Sequence, residues 1–266
     1  NYGCCTANMH QGWPKFVSSM WMATHDNGLA AVAYGPCSVN AIVGGGRRVE
    51  IIEETDYPFD GTIRLTVNTE SPVSFPLHVR IPAWAKGASI QVGDQMITPQ
   101  QTGEFVVLYR NWAPGDQVEI ELPMNLRTET RFHDAVSILR GPLYFSLKIG
   151  EHFKVLRRYH DELPVVDYAV FPTTPWNYAL QIDREHPEQD VKVMTAKISE
   201  APFSHDDAPL VLKVKGRMLP EWTMKNNSAD APPQSPVVSE QPLAELELIP
   251  YGSTRLRITE FPVLAD

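Results

Sequence analysis

What the sequence lacks narrows it first. Cysteine is scarce, three in 266 residues. Two of the three are adjacent, so no disulfide framework is available and the fold is not expected to depend on oxidation. No uncharged apolar run approaches the roughly 18 residues that a membrane-spanning helix needs, so neither a transmembrane helix nor a membrane partner is expected. Positive charge is in deficit: 23 Lys and Arg against 32 Asp and Glu leave a net charge of -9. Such a balance opposes the basic surface that a phosphate backbone requires, and no nucleic-acid partner is expected. Both an initiating Met and the basic and apolar regions of a signal peptide are missing. The chain opens at Asn1 and reads as the C-terminal piece of a longer polypeptide, which leaves its compartment open. What remains is an ordinary globular composition, 43% hydrophobic, long enough for one large or two ordinary domains.

Near the start, "WPKFVSSMWMAT" places Trp13, Phe16, Val17, Met20 and Trp21 at steps of three and four, the spacing of one apolar stripe along a helix. Pro14 is expected in its first turn, where proline is tolerated. Such a stripe must be buried against neighbours. Everything after it reads as strand, so its partners are expected upstream of Asn1.

From Gly28 the period changes to two. "TIRLTVNT" alternates Ile63, Leu65 and Val67 with Arg64, Thr66 and Asn68, and "QVEIELP" alternates Val118, Ile120 and Leu122 with Glu119 and Glu121. Further strand-length runs follow, separated by Gly-Asp turns and by many of the 23 prolines, which punctuate strand ends as in "RIPAW" and "ELPMN". The expected fold class is mainly β, antiparallel β-sandwich domains preceded by one orphan helix. The organisation read from the sequence is a helical segment 1–27, a β-sandwich domain 28–147 and a second, smaller β-sandwich domain 148–266, with the last strands able to return to the first. A polar loop, "KNNSADAPPQSPVVSEQP", precedes those last strands.

The chemistry-bearing candidates begin with Cys4 and Cys5. Neighbouring Cα atoms lie about 3.8 Å apart, whereas an unstrained disulfide prefers roughly 5.5 Å. The pair therefore suits metal ligands or a reactive thiol, or else two small residues buried in the first turn of a helix. His10 and His25 could ligate a metal but as lone histidines suit ordinary hydrogen-bonded positions. Asn8 suits a helix cap. Arg140 suits a structural ion pair. "VGGGRR" reads as a hairpin loop, not a phosphate cradle. Trp84, Trp112, Trp176 and Trp222 could stack on sugars, although tryptophan in strands is more often core.

The run "CCTANMHQGWPKF", followed in order by "LRGPLYFSL", "PWNYAL" and "LIPYGSTRLRITEFP", resembles the C-terminal part of glycoside hydrolase family 127, the β-L-arabinofuranosidase-like enzymes, and of the related family 146. The resemblance spans essentially the whole chain. It implies a large enzyme in which an (α/α)6 barrel holds the active site and β-sandwich domains follow, with this chain beginning in the last stretch of the barrel.

By that resemblance Cys4 is the nucleophile. Cys4 and Cys5 would ligate Zn together with a third cysteine and a glutamate from upstream, and an upstream glutamate would be the general acid/base. Cys37 is not expected to replace the third cysteine, because "YGPCSVNAIV" reads as strand. Thr6 and Ala7 stand where some arabinofuranosidases have prolines, so the exact sugar does not transfer. The function implied is that of a C-terminal fragment of a zinc-thiolate retaining glycoside hydrolase acting on L-arabinofuranosides or related plant glycans, inactive alone, with Zn bound in the full-length enzyme and weakly or not at all here. Its expected partners are a carbohydrate substrate and the upstream barrel of the same polypeptide. The alternative is a non-catalytic β-sandwich module for carbohydrate binding or assembly.

Overall fold

A computed structural model describes residues 3–163 and 165–265, with the side chains of residues 3 and 5–7 left out. The chain forms two compact units, Asn1–Asn125 and Leu126–Asp266.

The first unit opens with helix α1, Gly3–Ser18. It begins ten residues before the segment that the apolar spacing suggested. Pro14 therefore lies inside the helix, not in its first turn, where it removes one backbone donor at a cost of about 3 kcal/mol. The apolar stripe divides. Trp13, Phe16 and Val17 stay on the helix and are exposed, with the Trp13 and Phe16 rings edge-on at 6.3 Å. Met20 and Trp21 lie beyond the helix end and are buried. Trp21 opens strand β1, Trp21–Ala23.

Nine strands follow in this unit: β2 Leu29–Ala31, β3 Cys37–Val43, β4 Arg47–Thr55, β5 Thr62–Thr69, β6 Val73–Ile81, β7 Ser89–Val92, β8 Gln95–Ile97, β9 Glu104–Trp112 and β10 Asp116–Glu121. They form a four-stranded sheet in the order β1-β2-β6-β9 and a six-stranded sheet in the order β3-β4-β5-β10-β7-β8. Phe75, Leu77, Val79 and Ile81 of β6 share one hydrophobic core with Ile63, Leu65 and Val67 of β5 and Val118 and Ile120 of β10. The alternation read from the sequence is thus the inward face of a sandwich, and each such side chain, buried in full, contributes about 1.5–3 kcal/mol. Register confirms the pairing, with Ile63 opposite Ile120 and Leu65 opposite Val118. One pair departs from the antiparallel rule. Leu29 to Ala31 run parallel to Leu77 to Val79, and the approach requires glycine just before β2, because a Cβ on Gly28 would sit 2.1 Å from the Pro76 carbonyl oxygen. The "VGGGRR" loop is the β3–β4 hairpin, with Gly44, Gly45 and Gly46 all at positive φ, a region that glycine enters freely.

The second unit holds β11 Leu126–Thr130, β12 Val136–Arg140, β13 Leu143–Leu147, β14 Glu151–Arg158, β15 Val166–Pro172, β16 Tyr178–Gln181, β17 Lys192–Thr195, β18 Leu210–Met218, β19 Met224–Lys225, β20 Ser228–Ala229 and β21 Leu243–Pro250. Its main sheet runs β11-β12-β13-β21-β18-β16, with β17 also paired to β18, while β14-β15 and β19-β20 are separate two-stranded ribbons. The division between units differs from the boundary near 148 read from the sequence. Strands β11 to β13 were expected to close the first domain, but β13 pairs with β21, placing Phe145 opposite Pro250 and Leu147 opposite Leu248. That long-range pairing carries residues 126–147 into the second unit, which is built on one seven-stranded sheet and is not the smaller of the two. Arg140 lies half-buried at the end of β12, opposite Leu126 and Leu143.

Candidate functional site

Cys4 lies in the first turn of α1 as an exposed thiol, not a disulfide. Cys5 follows it in the same turn, and its side chain lies outside the described residues. At about 100° per residue, Asn8 shares the helix face of Cys4, inside the helix rather than capping it, whereas His10 is turned about 120° away. His25 is exposed in the β1–β2 turn. Among the described residues, no group of three or more His, Cys, Asp or Glu is placed to hold a metal. Two adjacent thiols nevertheless match half of a tetrahedral zinc set, since zinc favours sulfur with nitrogen or oxygen donors.

Cys37 is in a different setting. It begins β3, half-buried, with Sγ 3.6 Å from Oε2 of Glu53. Glu53 belongs to β4, is only 2% exposed, and collects two stronger donors. The Trp21 indole N–H donates to Oε2 at 2.8 Å, and the Gly35 backbone N–H donates to Oε1 at 2.9 Å. Burial pushes the Glu53 carboxyl above its ordinary value, against the opposing effect of these hydrogen bonds. Burial, reinforced by the Glu53 charge, pushes the Cys37 thiol up to about 11. Tyr34 is raised by burial and then by Glu53, its hydroxyl donating to the Arg80 carbonyl at 2.6 Å. Cys37 is thereby held, half-buried, against the Glu53 carboxylate at the start of β3. Sequence reasoning overlooked Glu53, although a signal was there: Val49, Ile51 and Glu53 alternate on β4, placing a carboxylate at an inward position.

The tryptophans separate clearly. Trp112 is fully buried and donates to the Phe75 carbonyl at 3.0 Å. Trp84 is half-buried against the first unit's core. Trp222 is buried and donates to the Asp230 carbonyl at 2.8 Å. Trp176 is half-buried and lines a pocket of about 240 Å³ in the second unit.

Residues 28–124 match the family model described as β-L-arabinofuranosidase, GH127 middle domain. Among solved structures, the chain is similar to Ara127N-Se, a GH127 β-L-arabinofuranosidase from Geobacillus stearothermophilus T6, at 22% identity and a TM-score of 0.65, over 97% of this chain and 36% of that one. It is similar to a GH127 β-arabinofuranosidase at 18% identity and a TM-score of 0.61, over 90% of this chain and 35% of that one. A further structure, described as a glycoside hydrolase, matches at 20% identity and a TM-score of 0.58, over 91% of this chain and 36% of that one. No curated protein matches the chain. At these identities the structural matches speak for the fold, and the chain spans about a third of the length of each solved relative. Residues 28–124 therefore resemble the middle domain of glycoside hydrolase family 127, and the fold of the chain is the one found in about a third of each of these solved structures.

Proposed function

We propose that this chain is the C-terminal part of a retaining glycoside hydrolase for L-arabinofuranosides or related plant glycans, with Cys4 as nucleophile and with Cys4 and Cys5 as two of its zinc ligands. The observation that carries the reading is the exposed Cys4 thiol, followed in sequence by Cys5, in a helix that precedes the segment matching the GH127 middle domain. Zinc bound to the pair would keep the thiols ionised at neutral pH. The Cys4 thiolate attacks the anomeric carbon: the C–S bond forms as the glycosidic C–O bond breaks, and the departing oxygen takes a proton from a carboxylic acid. Water then attacks the same carbon, gives its proton to that carboxylate and releases the thiolate, and two inversions leave net retention. The carboxylic acid and the remaining zinc ligands belong, in this reading, to the upstream barrel.

Two measurements test it. In the full-length enzyme, Cys4→Ser lowers kcat on an aryl β-L-arabinofuranoside by at least about 10³-fold, because a serine hydroxyl is not ionised at neutral pH; Cys5→Ser lowers zinc content as well. Near-normal turnover in both variants would refute the thiolate mechanism. The 266-residue chain alone shows no turnover and retains no stoichiometric zinc against a mild chelator, since closed zinc sites need four ligands. Hydrolysis by the purified chain would overturn that assignment.

A further inference from the structure

The fold brings together two of the motifs that carry the family resemblance, "PWNYAL" and "LIPYGSTRLRITEFP". Trp176 comes from the first, and Arg255 and Arg257 from the second. All three line one pocket of about 240 Å³, along with Met224, Asn227 and Ser228 of the β19–β20 ribbon. We infer that this pocket binds a single carboxylated sugar ring, a uronic acid residue.

The wall is held in place before any ligand arrives. Trp176 meets Trp222 edge-on at 5.2 Å. Trp222 is buried, and its indole N–H is tied to Asp230. The neighbouring Asn177 side chain donates to the Leu219 and Trp222 carbonyls at 2.7 and 3.1 Å. The rim is set by the turn of the ribbon, where Asn226 and Asn227 both adopt positive φ, the conformation of a two-residue hairpin turn that asparagine tolerates.

The two arginines differ in their partners. Arg255 is ion-paired with Glu151 at 3.1 Å. Arg257 donates from Nε to the Thr254 carbonyl at 3.0 Å and lies over the Tyr251 ring at 4.4 Å, but it is in no ion pair among the described residues. Its guanidinium is therefore oriented yet not neutralised. Among the described residues, none that lines the pocket is acidic, in a protein whose net charge is -9.

Each feature selects part of the ligand. An uncompensated planar guanidinium matches a carboxylate bidentately. A fixed indole and a methionine offer an apolar surface to the C–H face of a ring, and the Asn227 amide and Ser228 hydroxyl suit ring hydroxyls. The volume lies below the about 300 Å³ at which pockets for drug-sized ligands begin, so one ring fits and a chain must extend into solvent.

The test is titration of the 266-residue chain with D-galacturonic acid, trigalacturonate and a neutral arabinotriose, followed by tryptophan emission and calorimetry. Saturable binding is expected for both acidic probes and at least tenfold weaker binding for the neutral one. Arg257→Gln and Trp176→Ala each weaken the acidic probes at least tenfold. Arg257→Gln, at an exposed side chain, leaves the thermal midpoint unchanged, so its effect stays readable if Trp176→Ala disturbs folding. Equal affinity for acidic and neutral probes, no saturable binding at all, or unchanged affinity in Arg257→Gln would each overturn the assignment. Because no hydrolysis is read, either outcome leaves the Cys4 mechanism to its own test.

Discussion

Helix α1 and the sandwich that follows it spend similar residues in opposite ways. The helix leaves Trp13, Phe16 and Val17 exposed, while the sandwich buries Trp21 and Trp112 almost completely. The helix carries an exposed thiol at Cys4; the sandwich holds the Cys37 thiol against a buried carboxylate. An element whose apolar side chains face water gains little of its stability from this chain, and its Cys4 thiol is exposed. An element that turns a thiol toward Glu53 uses it for packing. The contrast teaches that cysteine count says little about chemistry here, and setting says much.

The largest test of that contrast is kinetic. Under the proposed mechanism, Cys37→Ser in the longer protein should leave kcat within about twofold, whereas Cys4→Ser removes at least about 10³-fold, because only a group that attacks substrate carries a rate effect of that size. Comparable losses in the two variants would dissolve the distinction. The second test is chemical. With its thiol pushed up to about 11, Cys37 in the folded chain should react with iodoacetamide near neutral pH about 100-fold more slowly than an ordinary cysteine, in proportion to its thiolate fraction. Peptide mass spectrometry reads the site-specific rate, and labelling of Cys37 at the speed of a free thiol would contradict its burial.

The third test is of stability. Glu53→Leu leaves the Trp21 indole and the Gly35 amide without their acceptor inside the sandwich. Each buried donor left without a partner costs about 1–3 kcal/mol, so a loss of about 2–6 kcal/mol is expected for the two. Denaturant unfolding of the chain reads it, and a change below about 0.5 kcal/mol, the size typical of surface substitutions, would remove Glu53 from its structural role.

How much of this was legible beforehand depended on range. Local periodicity identified the inward faces of β5 and β10 correctly, because alternation is a property of adjacent residues. The helix start at Gly3 was missed because "GCCTANMHQG" carries no strong apolar period and because Pro14 looked like an N-terminal signal. The unit boundary was missed because the pairing of β13 with β21 joins residues about a hundred positions apart, and no local pattern encodes that. A closer signal existed in "ELPMN", where Pro123 ends a strand just before the division after Asn125. The thiol pair was visible in the sequence at once. The pocket was visible only as separate motifs, since only the fold brings Trp176 and Arg257 to the lining of one pocket.

The smallest effect expected is on the pH dependence of folding, and its sign follows from Glu53. Burial raises its carboxyl above the ordinary 4.5 in the folded state, so the neutral form is the one that folding favours. A group raised in this way contributes stability that is fully present below 4.5 and is lost as pH rises through its folded value. The groups around it do not reverse that sign: Cys37 and Tyr34 are neutral through this range, their own ionisation pushed up by burial and by Glu53 itself. Other carboxylates give the whole protein an acid dependence of their own, so the useful quantity is the difference between the wild type and Glu53→Gln, which cannot ionise. That difference should shift in favour of the variant as pH is raised from below 4.5 toward neutrality, read as unfolding midpoints in a pH series. A difference that stays constant, or one that moves toward the wild type, would mean that the Trp21 and Gly35 donors stabilise the carboxylate more than burial penalises it, and the sandwich would then hold an ionised acid at its centre.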